Sequence, residues 1–418
     1  MKQTDQKDQN AKKIKSIVRT LLPWFSKNAR DLPWRREPYS EDPYCVYVSE
    51  IMLQQTQVKT VIPYWERWMR ELPTIQSAAQ ASPAKLHKLW EGLGYYTRVR
   101  NLQKATQQII AQHEARFPQT FDHILALSGI GRYTAGAIAS IAFNQPKPIL
   151  DGNVIRVLTR LFGIATNPRE KQTNAQLWQL AEDLVKAASE PENSAPDHQR
   201  PKFLPLPGAS AGLRAVVKQS DQNSCSHFNQ SLMELGALIC TPRSPQCGLC
   251  PVNILCIAQK QNLQEQLPNL GKREAATPRR FLAFVVERKG KFLVRQRPAG
   301  SVNAHLWEFP NVEVTDGGRA RPFMRAEAAH TESAAPRTDA PYRQTDFRPT
   351  STKPFCIIKH SITRYRIKLE AWRAELGDRS AEVSGCWLTR NQLHKLAFAS
   401  AHKKVLARLG APISKSAH

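Results

Sequence analysis

From Ile14 to Ile141 apolar residues recur at helical intervals, punctuated at Pro33, Pro43, Pro73, Pro83, Gly94, Pro118 and Gly129. That pattern predicts several short, packed helices. Residues 187–223 break it, with Pro191, Pro196, Pro201, Pro205 and Pro207 set among Ser, Asn and Gln, and predict a surface insertion. Helical signal resumes at Phe228. Residues 258–279, rich in Gln, Lys, Arg and Pro, predict a linker. After them FLAFVVERKGKFLVRQRP reads as two strands joined by a turn around Lys289 and Gly290. Residues 313–353 are rich in Pro, Ala, Thr and Arg and predict a long mobile loop before the strand-like FCIIKHSITRYRIKLEAW. The pattern therefore divides the chain into a helical domain over 10–257, a linker, and a sheet-containing domain over 280–412, with no internal repeat.

The chain has 418 residues, 41% of them apolar, enough to bury a substantial core. Sixty Lys and Arg against 35 Asp and Glu give a net charge of +25, which favours a polyanionic partner, nucleic acid first. The opening MKQTDQKDQNAKKIKS lacks the apolar stretch of a secretory signal, and no segment approaches the roughly 18 apolar residues of a membrane helix. A soluble, intracellular protein with no membrane association is expected. In a reducing compartment eight cysteines are metal ligands or buried thiols more readily than disulfides.

Cys240, Cys247, Cys250 and Cys256 form a C-x6-C-x2-C-x5-C array, close enough for four thiolates to surround one centre. A single C-x2-C pair suits a four-iron cluster better than zinc, which stays the alternative. In LSGIGRYTAGAIASIAF, Gly129 and Gly131 form a tight turn between helical stretches, a geometry that points backbone N–H groups at an anion such as a DNA phosphate. Further on, PILDGNVIRVLTRLFG places Asp151 before an amphipathic helix, where a helix cap is the simplest role.

The hairpin at about 123–140, the LDGNV aspartate and the four-cysteine loop follow one another in the order of the endonuclease III superfamily of DNA glycosylases. Within it, LPWR (32–35), SEIMLQQTQV (49–58) and LWEGLGYYTRVRNL (89–102) resemble the adenine DNA glycosylase branch, and the likeness covers nearly the whole chain outside the two insertions. It implies an all-α helix-hairpin-helix glycosylase module with one 4Fe-4S cluster, followed by an α+β Nudix-like module. The two would clamp double-stranded DNA that carries adenine opposite 8-oxoguanine or guanine. The implied enzyme is a monomer, cytoplasmic and nucleoid-associated if bacterial.

The same resemblance assigns roles. Glu50, whose helical companions Ile51, Leu53 and Val58 draw it toward the interior, matches the acid that protonates adenine at N7, and Asp151 the carboxylate that stabilises positive charge at C1′. Gln54, Gln55, Thr56, Leu93 and Tyr95 match the wedge and lesion contacts, with Gln55 and Tyr95 as the principal wedge candidates. Arg30, Trp34, Arg35, Tyr133, Asn153 and Gln230 match the lining of the extruded adenine's pocket. Relatives that also nick the strand carry a lysine where this chain has Tyr133, so a monofunctional glycosylase is implied.

The C-terminal module lacks the R-E-x-x-E-E box of a working Nudix hydrolase, which favours recognition over hydrolysis. Where the family reads F-S-H, this chain has Ile362, Thr363 and Arg364; Thr363 keeps the hydroxyl. The competing readings are a bifunctional endonuclease III-like lyase, a noncatalytic DNA-binding iron–sulfur protein and a Nudix pyrophosphatase.

Overall fold

The computed structural model describes residues 2–190, 223–271, 274–314, 320–321, 346–362, 364–377 and 384–409. Their chain folds into two compact units, Met1–Gln80 with Asn101–Arg273, and Ala81–Arg100 with Glu274–His418.

Helices dominate the first part of the chain: α1 (Lys2–Asn28), α2 (Pro43–Leu53), α3 (Val58–Glu71), α4 (Ile75–Gln80), α5 (Pro83–Leu89), α6 (Thr97–Gln112), α7 (Phe121–Leu125), α8 (Arg132–Ile141), α9 (Gly152–Phe162), α10 (Lys171–Ser189), α11 (Ser224–Leu238) and α12 (Ile257–Lys260). Their starts obey local chemistry. Asp42 caps α2, with Pro43 in the first turn where its missing N–H costs nothing, and the Asp151 carboxylate caps α9. Gly163 ends α9 at φ +65°, a conformation that glycine reaches without Cβ strain.

The core of the helical unit gathers the apolar faces of α1 (Ile17, Leu21, Trp24), α9 (Val154, Val157, Leu158), α10 (Leu177, Leu184) and α11 (Phe228, Leu232, Leu235). On α1 these positions fall three and four apart, which places them on one stripe. Gly136 lets α8 approach the segment before α9, because a Cβ there would lie 2.1 Å from the Pro148 carbonyl oxygen. Part of the expected linker 258–279 belongs to this packing: α12 runs into it, Ile257 at the start of α12 packs beside Gly163, and Leu267 is buried with its carbonyl held by Arg160 Nε at 2.9 Å.

The second unit contains β1 (Thr277–Arg288), β2 (Lys291–Gln296), β3 (Trp307–Glu308), β4 (Asn311–Val314), β5 (Ala320–Arg321), β6 (Phe347–Pro349), β7 (Cys356–Ile362), β8 (Tyr365–Leu376) and β9 (Cys386–Thr389), then α13 (Arg390–Lys395) and α14 (Ser400–Arg408). β1 pairs antiparallel with β2 and β4 and parallel with β8, so the sheet is mixed. The predicted turn is present, with Lys289 at φ 52° and Gly290 at φ 70°, the pair of left-handed residues a two-residue hairpin favours. The strand-like run 355–372 is two strands, β7 and β8, antiparallel from Cys356↔Ala371 to Ile362↔Tyr365. The interval 313–353, expected as loop, holds the end of β4, β5 and β6. These edge pieces are too short for alternation to reveal. Residues 191–222 and 322–345, the bulk of the two expected insertions, lie outside the described residues. Among the described residues no helix is long and apolar enough to cross a membrane.

Candidate active site

Glu50 lies on the almost wholly buried α2 and is 6% exposed. The Tyr133 hydroxyl, from α8, donates to Glu50 Oε2 at 2.8 Å. Burial pushes the Glu50 pKa up to about 7; the negative charge of Asp151 adds to the shift, while the Tyr133 bond and the Arg35 charge oppose it. Near neutral pH this carboxyl holds a proton it can give away.

Asp151 does more than cap a helix. Its Oδ1 accepts the Val154 N–H at 2.7 Å and its Oδ2 accepts Asn153 Nδ2 at 3.0 Å. Burial raises its pKa, and these bonds together with the Arg156 charge work against that rise by favouring the charged form. Asn153 is steadied in turn by Arg156, whose guanidinium reaches Asn153 Oδ1 (2.8 Å), the Gly236 carbonyl (2.8 Å) and the Cys240 carbonyl (2.7 Å). One arginine thus ties the Asp151 turn to the start of the cysteine loop.

Arg30, Arg35 and Gln230 come together around Glu234, a residue the sequence did not single out. Arg35 donates to Gln230 Oε1 (2.8 Å) and Glu234 Oε2 (3.1 Å), and Arg30 donates to both Glu234 oxygens (2.7 and 3.0 Å). The only available hint was spacing, since Gln230 and Glu234 are four apart on α11 and share a face. Trp34 is buried with its ring edge-on to Trp65, as a core anchor would be.

Gln54 Nε2 reaches the Thr134 hydroxyl at 3.3 Å, and the Thr56 hydroxyl bonds the Gln54 carbonyl at 3.2 Å. Gln55 is exposed at φ 55°. In the hairpin, Gly129 at φ +75° has no room for a side chain, as its Cβ would lie 2.5 Å from Asn101; Gly131 starts α8 with no side-chain cap bond. Uncapped N–H groups at a helix start suit a phosphate.

The sheet-bearing unit carries Leu93, buried, and Tyr95, 46% exposed at φ 49°. Tyr95 and Tyr96 line a cleft of about 1560 Å³ together with Arg279 of β1 and Ser361 and Tyr365 of the β7–β8 hairpin. Thr363 lies outside the described residues.

Cys240, Cys247, Cys250 and Cys256 line one cavity with the apolar Val157, Leu161, Leu235, Ile239 and Val252. Arg160 Nη1 lies 3.3 Å from Cys240 Sγ. Among the described residues no three His, Cys, Asp or Glu side chains are grouped to hold a single ion. Four thiols around a shared cavity suit the larger iron–sulfur centre. Such a cluster would be held by these four residues and, with no open position for substrate, would serve the fold of the loop.

Three family models match parts of the chain. Residues 48–183 match the HhH-GPD superfamily of base excision DNA repair proteins, 240–256 the iron–sulfur binding domain of endonuclease III, and 282–408 a NUDIX domain. The adenine DNA glycosylases of Rattus norvegicus and Homo sapiens are 33% and 34% identical to the chain, across 94% and 92% of it and 77% and 72% of their own length. That of Buchnera aphidicola subsp. Schizaphis graminum is 34% identical across 70% of this chain and 74% of its own. A helical base-excision module, a 4Fe-4S loop and a Nudix-like domain in one DNA-binding chain, with relatives this similar over most of its length, lead to one assignment: the chain belongs to the adenine DNA glycosylase family.

Proposed function

We propose that this enzyme hydrolyses the N-glycosidic bond of adenine mispaired with 8-oxoguanine or guanine, and that it does so without cutting the strand. The observation that carries the reading is the buried Glu50 carboxyl, raised to about 7 and facing the charge of Asp151. Adenine is a poor leaving group as an anion, so a proton from Glu50 to its N7 lets it depart neutral. The sugar left behind is oxocarbenium-like, and Asp151, whose charged form accepts two hydrogen bonds, stabilises the positive charge at C1′. Water then completes hydrolysis. Tyr133 offers no amine to attack C1′ and instead holds Glu50 in place.

Around this pair, Arg30, Trp34, Arg35, Tyr133, Asn153 and Gln230 line the pocket for the extruded base, while Gly129 and Gly131 present backbone N–H groups to a phosphate. Gln55 and Tyr95, each exposed with a left-handed backbone, are the principal wedge residues for the gap left in the duplex, and Gln54, Thr56 and Leu93 are further wedge or lesion contacts. The Nudix-like unit reads the oxidised guanine, with Thr363 as a contact. Single-turnover base release and strand nicking, measured together on duplexes with adenine opposite 8-oxoguanine, guanine or thymine, test the whole reading. The expected result is release without nicking, fastest opposite 8-oxoguanine. Efficient nicking by the protein would make it a lyase, and equal rates opposite 8-oxoguanine and guanine would remove lesion reading.

A further inference from the structure

Residues 81–100 lie within the span that matches the base-excision repair superfamily, yet they fold into the compact unit that contains the sheet. Their attachment centres on Glu91, a carboxylate only 7% exposed. Glu91 Oε1 accepts the Phe398 N–H at 3.0 Å, and Oε2 accepts Lys88 Nζ at 3.0 Å and Lys403 Nζ, from α14, at 2.8 Å. Lys88 Nζ also donates to the carbonyls of His394 (2.8 Å) and Leu396 (3.0 Å), so one ammonium stitches the segment to the α13–α14 connection. His87 stacks on His305 with centroids 6.3 Å apart at 14°, and Arg100 Nη1 reaches the Ala304 carbonyl at 3.4 Å.

What this attachment holds is a turn in an uncommon conformation. Gly92 (φ 115°), Gly94 (φ 72°) and Tyr95 (φ 49°) all have positive φ. Trp90 Nε1 donates to the Gly94 carbonyl at 3.1 Å, Arg98 Nη2 to those of Leu93 (3.1 Å) and Gly94 (3.2 Å), and the Arg98 guanidinium lies over both the Trp90 and Tyr95 rings. A left-handed tyrosine persists only where its surroundings over-determine it. The result is a pre-organised mount that presents Tyr95 at the edge of the cleft shared with the β7–β8 hairpin.

We propose that Glu91, with Lys88 and Lys403, is a positioning residue that fixes the Tyr95 turn to the sheet-bearing unit, so that the unit reading the lesion also sets where Tyr95 enters the duplex. The inference rests on the proposed roles of that unit and of Tyr95. Pre-organisation of this kind lets recognition on one side of the cleft be felt at the wedge without a separate ordering step.

The test uses the full-length protein and the variants Glu91→Gln, Lys403→Met and Lys403→Arg. Amide hydrogen exchange over 92–97 should accelerate roughly tenfold or more in the first two while 43–53 in α2 stays unchanged, as local opening requires. The ratio of single-turnover excision opposite 8-oxoguanine to that opposite guanine should fall roughly tenfold, with Lys403→Arg retaining both properties by preserving the charge. Lys403 is half exposed, so its variants keep the test open if Glu91→Gln does not fold. Unchanged exchange would overturn the mount, and accelerated exchange with an unchanged ratio would overturn its role in specificity. A wild-type enzyme with no 8-oxoguanine preference would overturn lesion reading and the specificity role together, and the exchange measurement would still decide the mount.

Discussion

Glu50 and Glu234 are both buried glutamates of the helical unit, 6% and 0% exposed, yet they stand at opposite ends of the carboxyl range. Burial acts on both in the same direction, upward. At Glu234 two guanidiniums overcome it: Arg35 and Arg30 hold the pKa down to about 2. At Glu50 the nearest donor is a neutral phenol, Arg35 acts only as a distant charge, and the result is about 7. Placement of the cations, not depth of burial, makes one glutamate a permanent anion and the other an acid.

The largest effect should come from removing the acid itself. Glu50→Gln should slow adenine release by about 10²–10⁴-fold while DNA binding persists, because the amide keeps the volume and loses the proton. Single-turnover kinetics near the wild-type rate would take Glu50 out of the reaction.

Glu234→Gln should break the other half of the comparison, through the fold. Arg35 and Arg30 would lose their counter-charge, which costs about 3 kcal/mol, the lower end of the 3–5 range because Arg30 is one-third exposed. Urea denaturation of the variant checks this. The sign of the pH dependence separates the two residues. A folded pKa depressed to about 2 stabilises the protein above the ordinary glutamate range and loses that stabilisation as pH falls toward 2. A folded pKa raised to about 7 does the reverse, so Glu50 weighs increasingly against the fold as pH rises from the ordinary glutamate range through 7.

In catalysis the same raised pKa predicts that excision by the wild-type enzyme falls above pH 7, approaching about tenfold per pH unit as Glu50 loses its proton. A rate flat from pH 6 to 9 would contradict it. The smallest change sharpens the cause: Tyr133→Phe removes the bond that favours the charged form of Glu50 and should move the alkaline limb up by about 1 unit, since a hydrogen bond to a charged group is worth about 1.5–3 kcal/mol. A limb that moves down would mean the tyrosine supports the protonated acid.

Much of this was legible in the chain because it is local. The C-x6-C-x2-C-x5-C loop, the Lys289–Gly290 turn and the Asp151 cap each depend on residues a few positions apart, and the structure holds all three in short segments. Glu234 and Glu91 were not legible. A glutamate on a helix ordinarily faces water; what buries these two is a pair of arginines about 200 residues away for Glu234, and Lys403 with Phe398 more than 300 away for Glu91. The short strands β3, β5 and β6 escaped for a related reason, since their pairing partners rather than their own two or three residues define them.

The sequence by itself determined the order of helices, cysteine loop and sheet, and which side chains are carboxyl or thiol at each position, because side-chain type and spacing are properties of the chain. Only the tertiary structure decided which carboxyl keeps a proton at neutral pH and to which unit the Tyr95 turn is fastened. Both depend on the charges and surfaces that folding brings in from distant segments, and a pKa or a docking contact belongs to that environment more than to the residue.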